Sequence, residues 1–311
     1  MSNTNEDNEL FDRDTPPQEE EKVDSNAAAR EEHNRRIARI IEKDTHYIFF
    51  FGKIASGKSA IITYFINYLL GESEGTLVLT DLGESAYTNE LLERFASNSL
   101  VKRTNPMLDP TTIDLRYEPR DTSKPKKFFT ILEMAGEDLE LLGYKNRKNT
   151  SEVGKLPKGI QAYFDAKGIS ITFILCTPFN KANEDAALLS AFIQHVEKNR
   201  NKFKKYTYAL LATKWDKNIA QKRIQDFANE NQLQFVIDQI KHKDPLVMGY
   251  SIGEVSETDS LVLDVNKKCP EDLWHWLYED MTGVPLKDPY IPPTRNLWQR
   301  LKDFLLGPNN E

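Results

Sequence analysis

Gly52-Lys53-Ile54-Ala55-Ser56-Gly57-Lys58-Ser59 decides how this chain reads. The spacing is GxxxxGK[ST], and the flanking residues have the order such a loop needs. Residues 47–51 before it form an apolar, aromatic-rich run of strand length, and residues 60–70 after it have the length and apolar face of a helix. A strand, a glycine loop and a helix start place successive backbone N–H groups around an anion at a helix N-terminus. Gly52 and Gly57 supply backbone conformations that a side chain would hinder. Ala55, Ser56 and Ala60 complete the loop and the first turn. Lys58 is expected to reach the β- and γ-phosphates, and the Ser59 hydroxyl to ligate magnesium.

The chain has 311 residues, which suits one large α/β domain with extensions. Hydrophobic residues make up 39% and charged residues 29%, so a packed core and a well-solvated surface are both available. No apolar run approaches the roughly 18 residues of a membrane span. The polar, acidic N-terminus is unlike a secretory signal, so a cytoplasmic location is expected and membrane association is not. Cys176 and Cys269 are too few and too far apart for a disulfide framework or a zinc cluster. The histidines His33, His46, His195, His242 and His275 show no metal-ligand spacing. The net charge of −7 is unevenly placed, because residues 1–23 carry eight acidic and two basic side chains. The remainder is close to neutral, which argues against a broad basic face for nucleic acid.

Four segments follow. Residues 1–23 read as a disordered acidic tail. Residues 24–44 read as an N-terminal helical extension, with Ile37, Ile40 and Ile41 on one face. Residues 45–284 carry the P-loop domain. Residues 285–311 read as a Pro-rich linker and an amphipathic helix over 296–306. Within the domain, strands are expected at 76–80, 113–117, 128–132, 169–175, 206–212 and 246–250. Helices are expected at 87–97, 183–199 and 270–281, with further helical pattern to about residue 240. The 113–117 and 128–132 strands make a hairpin around the turn at 121–125. Residues 137–158 are polar and read as a mobile loop with a helical start. Strands alternating with helices predict an α/β P-loop NTPase fold, with a mostly parallel sheet and helices on both faces.

Thr213-Lys214-Trp215-Asp216 directly follows a buried strand and matches [NT]KxD. A carboxylate there accepts from the N1 and N2 donors of guanine, and adenine lacks that pair and leaves the carboxylate unpaired. The Lys214 stem would lie over the purine ring. Ligands in open α/β sheets bind outside the carboxyl ends of strands, which is where this tetrapeptide falls.

Glu133-Met134-Ala135-Gly136 ends the 128–132 strand. Here the chain resembles the translation-factor-related GTPases, the small Ras-like ones in particular, over residues 45–282. That family has DxxG at this point. The resemblance implies that Glu133, in place of Asp, holds magnesium and that the Gly136 N–H meets the γ-phosphate. Asp109-Pro110-Thr111 is similar to the first switch, which implies that Thr111 closes over magnesium and the γ-phosphate, with Thr112 as the adjacent alternative. Ser251-Ile252-Gly253 is similar to the loop whose backbone N–H recognises the guanine O6. A narrower likeness joins the chain to the bacterial double-GTPase families, through Ala135-Gly136-Glu137-Asp138 and the Trp-containing stretch Leu273-Trp274-His275-Trp276-Leu277. It implies a bacterial or phage-related protein working with a second GTPase, an activator or an effector.

The residues together read as a switch that binds GTP and GDP with magnesium and hydrolyses GTP slowly. Lys58 and the P-loop amides stabilise charge on the phosphate oxygens. Ser59, Thr111 and Glu133 organise the metal. Glu137 stands where Ras-like proteins carry a water-orienting Gln, and a carboxylate there accepts a hydrogen bond but does not donate one. No Arg is assigned as a finger, and Arg103, Arg116 and Arg120 read as surface residues. Three rivals remain. An ATPase or P-loop kinase requires Asp216 to be incidental. A nucleotide-holding scaffold without turnover is favoured by Glu133 and Glu137. Membrane attachment through 296–306 is opposed by the scarcity of basic residues there, Arg300 and Lys302 alone.

Overall fold

Every residue of β1 (His46–Phe51) is buried, as befits a strand covered on both faces. The computed structural model describes residues 41, 44–71, 73–79, 86–97, 110–140, 142, 155–256 and 261–287. The acidic tail, most of the N-terminal extension, Asp109, the stretch 143–154 and the 296–306 segment lie outside the described residues.

β1 is the centre of a seven-stranded sheet. The other strands are β2 (Gly75–Leu79), β3 (Thr111–Pro119), β4 (Lys127–Glu133), β5 (Ser170–Pro178), β6 (Lys205–Thr213) and β7 (Leu246–Tyr250), in the order β2-β3-β4-β1-β5-β6-β7. β4, β1, β5, β6 and β7 run parallel, and β3 pairs antiparallel with both β4 and β2. The sheet is thus mostly parallel, and the expected β3–β4 hairpin is present. β3 alternates, with Ile113, Leu115 and Tyr117 buried between more exposed neighbours, which is the mark of a strand with one core face.

The helices are α1 (Lys58–Gly71), α2 (Ala86–Ala96), α3 (Gly136–Glu140), α4 (Lys158–Asp165), α5 (Ala182–Lys198), α6 (Ile224–Glu230), α7 (Leu233–Ile240) and α8 (Lys268–Thr282). The two-residue alternation of β1 feeds two cores. Tyr47, Phe49 and Phe51 face α4, α5, α6 and α7, and the Phe51 ring stacks on Phe192 of α5 at 3.9 Å. Ile48 and Phe50 face α1 and α8. Each fully buried ring of this size contributes about 1.5–3 kcal/mol. Trp274 of α8 is fully buried, with the Tyr117 ring 4.6 Å and the Phe129 ring 5.5 Å away. In this fold the Trp-containing stretch is core packing that seats α8 on the sheet. These layers and this topology are those of an α/β P-loop NTPase fold.

The structure adds two elements to those legible in the sequence. Residues 158–165 form α4, reached through the Pro157 turn. A hairpin of β8 (Gly253–Ser256) and β9 (Leu261–Val265) follows β7. Gly253 has φ +127°, and a Cβ there would collide with the Asp264 carbonyl, so the hairpin entry needs glycine. Residues 285–287 lie against the domain. The buried Lys124 donates to the carbonyls of Pro285 (3.0 Å) and Leu286 (2.6 Å).

Candidate functional site

The P-loop leaves the C-terminal end of the central strand, beside the point where the chain turns from one half of the sheet to the other, and this is where open α/β sheets bind ligands. Gly52 passes so close to β5 that a Cβ would stand 2.5 Å from the Cys176 carbonyl oxygen. Ala55 (φ +60°) and Gly57 (φ +87°) both take left-handed backbone, which turns their amides into the loop. Ser56 is fully buried. Thr213, the last residue of β6, donates its hydroxyl to the Ser56 carbonyl at 2.7 Å. Its side chain therefore faces the P-loop and ties it to the end of β6.

Lys58 is buried, and its ammonium donates to the Gly52 carbonyl at 2.9 Å and the Lys53 carbonyl at 3.1 Å. Burial pulls it below the ordinary lysine value, opposed chiefly by the Glu133 carboxylate. The Ser59 hydroxyl donates to Glu133 Oε1. Glu133 is 1% exposed, and burial pushes its carboxyl up to about 7, against the Ser59 hydrogen bond and the Lys58 charge. Thr111, at the start of β3, stands opposite Glu133 in the β3–β4 register. The fold therefore gathers Lys58, Ser59, Thr111 and Glu133 at one place, although they lie on three elements. Gly136 opens α3 and packs directly on the P-loop, where a Cβ would collide with the Ile54 nitrogen. Glu137 follows in the first turn of α3 and is half-buried.

The second half of the site is the turn after β6. Lys214 has φ +56°, and Trp215–Lys217 form one 3-10 turn. Trp215 points inward, with the Phe179 ring 5.5 Å and the Phe227 ring 5.2 Å away. Gly249 of β7 leaves room for it, since a Cβ there would meet the Trp215 ring. With Trp215 as the half-buried wedge, Lys214 and Asp216 on either side of it line one pocket. Gly57, Ala60, Ile61, Thr213, Lys217, Tyr250, Ile252 and Val255 complete its walls. Ser251 donates to Asp216 Oδ1 at 3.1 Å, and its own N–H reaches the Cys269 sulfur at 3.5 Å. The loop 251–253 is thus tied to the carboxylate it flanks.

Several contributors escaped the sequence reading. Tyr250 and Val255 line the pocket, and Val255 is there because the β8–β9 hairpin folds over the end of β7. The short apolar run Leu261-Val262-Leu263, extended to Val265, was the available signal for that hairpin. Glu140 accepts from the Ile54 N–H at 3.2 Å. Lys53 pairs with Asp185 of α5 at 3.1 Å.

No family model and no curated protein matches the chain. Among solved structures, the chain is similar to the signal recognition particle receptor SRb-GTP/SRX complex from Chaetomium thermophilum. The identity is 15% and the TM-score 0.40, covering 75% of this chain and 99% of that one. It is also similar to Methanosarcina barkeri Roco2 RocCORdC bound to GDP. Here the identity is 11% and the TM-score 0.38, covering 78% of this chain and 50% of that one, so the chain matches half the length of that protein.

Proposed function

We propose that this chain is a guanine-nucleotide-binding switch that binds GTP and GDP with magnesium and hydrolyses GTP slowly. The observation that carries the reading is one pocket, bounded on one side by the P-loop and α1 (Gly57, Ala60, Ile61) and on the other by Thr213, Lys214 and Asp216. A base held against Asp216 has its phosphates directed into the loop whose amides and Lys58 receive them. Asp216 selects guanine by accepting from two donors, and Lys214 covers the ring.

Magnesium fits the donor set. Ser59 and Glu133 bring two hard oxygen donors into direct contact, with Thr111 opposite in register, and magnesium takes oxygen ligands supplemented by phosphate. Held by Ser59, Thr111 and Glu133, the ion would supply positive charge to neutralise charge developing on the phosphates. Lys58 supplies the fixed positive charge of the chain itself. Glu137 stands beside the Gly136 amide and offers an acceptor for the attacking water.

The domain division read from the sequence frames this site, with the acidic tail and the C-terminal segment as extensions. A protein partner, whether a second GTPase, an activator or an effector, is part of the proposal, because a slow switch needs one. Among the described residues no helix is long and apolar enough to cross a membrane. The test is direct. Nucleotide released by denaturing the purified protein should be GDP or GTP, and GTP should outcompete ATP for a labelled analogue. Equal competition would overturn the guanine reading.

A further inference from the structure

Ile54 is the third residue of the P-loop, and its N–H is held by a side chain of the chain itself, Glu140 Oε1 at 3.2 Å. Both ends of the five-residue α3 rest on Ile54. Gly136 abuts the backbone of Lys53 and Ile54 so closely that a Cβ would collide with it, and Glu140 closes the other end. On the far side the loop is fixed. Lys53 pairs with Asp185 at 3.1 Å and donates to the Glu184 carbonyl at 2.7 Å, and Asp185 also accepts from Thr177 at 3.0 Å. Both acidic residues sit in the first turn of the 17-residue α5. The short α3 is therefore the partner that gives, since a helix of one turn has little stability of its own.

The base pocket lies at Gly57, Ala60 and Ile61. The pocket reaches Gly57, Ala60 and Ile61 and not Lys53 or Ile54, so a phosphate chain running from it along the loop would meet the amides at the start of α1 first and that of Ile54 last. A terminal third phosphate that reached that amide would compete with Glu140 for one donor.

We infer that Glu140 sets the preference of this site between nucleoside di- and triphosphate: it and the terminal phosphate are rival acceptors for the Ile54 N–H, so triphosphate breaks the tie between α3 and the P-loop. The inference rests on the reading of the site as a nucleotide site.

The test measures affinities of the full chain, Glu140→Gln and Glu140→Ala for GDP and for GTPγS, a slowly hydrolysed triphosphate. Glu140→Ala should tighten GTPγS about tenfold, equivalent to about 1.4 kcal/mol, Glu140→Gln by less because its amide oxygen still accepts from Ile54, and either variant should change GDP by less than about twofold. Hydrogen exchange in the parent should quicken over 136–140 with GTPγS and stay unchanged with GDP. Equal changes for both nucleotides would make Glu140 a merely structural contact and overturn the inference, as would exchange at 136–140 that ignores the third phosphate. If guanine nucleotides do not bind, the same comparison with ADP and ATPγS separates the two failures. A triphosphate-selective gain there sinks the guanine reading alone. Absence of binding by any nucleoside phosphate sinks both.

Discussion

Ser251 Oγ donates to Asp216 Oδ1 across 3.1 Å, and the same hydroxyl oxygen accepts from the Gly253 N–H at 3.0 Å. The carboxylate is therefore oriented by the loop that follows β7, while Trp215 anchors its own turn from below. A carboxylate held from two directions is preorganised for the contact proposed to a base, and preorganisation lowers the cost of binding.

The first prediction follows from that pair. Asp216→Asn should weaken GTP binding on the order of 3 kcal/mol, the loss of two charge-assisted hydrogen bonds discounted for context. It should also move preference toward xanthine nucleotides, whose N1 and O2 edge suits an amide. Ser251→Ala should cost about 1 kcal/mol and leave the guanine preference in place, because it removes the support and keeps the reader. Competition calorimetry with GTP, XTP and ATP checks both. A Ser251→Ala loss as large as that of Asp216→Asn would contradict a supporting role.

Lys58→Ala should abolish most triphosphate affinity. The ammonium is buried and bonded to two loop carbonyls, so the variant also leaves Gly52 and Lys53 carbonyls without that donor. The stability loss should be about 1–2 kcal/mol, small enough for the domain to stay folded at room temperature. Calorimetry for GTP beside denaturant unfolding separates the two effects. Unchanged GTP affinity in a folded variant would remove the P-loop from the proposed mechanism.

His46 gives a pH prediction at the other end of β1. Its Nε2 lies 2.8 Å from Thr172 Oγ1, which in turn donates to Asp280 at 3.3 Å. Burial, with the Lys127 and Lys205 charges, pulls the imidazole down to about 3. The folded value lies below the unfolded one, so the stabilisation is fully present above pH about 6.5 and is lost as pH falls toward 3. Between those limits stability should drop by up to about 1.4 kcal/mol per pH unit from this group, on the order of 5 kcal/mol in total. His46→Gln keeps a donor for Thr172 and removes the titration. Its urea stability should fall less steeply over that window, and a parallel slope for parent and variant would refute the assignment.

The parts of the site legible in the sequence are those encoded by local spacing. β1, the glycine loop and α1 are contiguous, so residues 47–70 carried their own fold. Thr213–Asp216 was legible for the same reason. What the sequence concealed depends on tertiary approach. The Glu140 contact to Ile54 joins positions 86 apart, and nothing local distinguishes Glu140 from any other acidic residue in a polar stretch. α4 was hidden because Ile160, Tyr163 and Phe164 supply too short a periodic run after Pro157 to outweigh the surrounding polarity. Thr213 was legible as part of a motif, yet its side chain serves the P-loop carbonyl, a role that only the fold reveals.

The last prediction concerns hydrolysis. Glu137 follows Gly136 at the start of α3, beside the P-loop, and supplies an acceptor with no amide donor. Among the described residues the pocket holds no Arg. A positioned Arg alone accounts for about 10³–10⁵ in switch GTPases, so intrinsic turnover should be well under about one per second on that scale. It should rise when a partner brings a donor. Glu137→Ala should slow the residual reaction without weakening GTP binding, because the carboxylate acts on water and not on the nucleotide. Single-turnover phosphate release measures this. Rapid turnover by the isolated chain would mean that a donor already stands in the site. Tight GTP binding with no turnover under any partner would leave a nucleotide-holding scaffold, in which Glu137 has no role in chemistry.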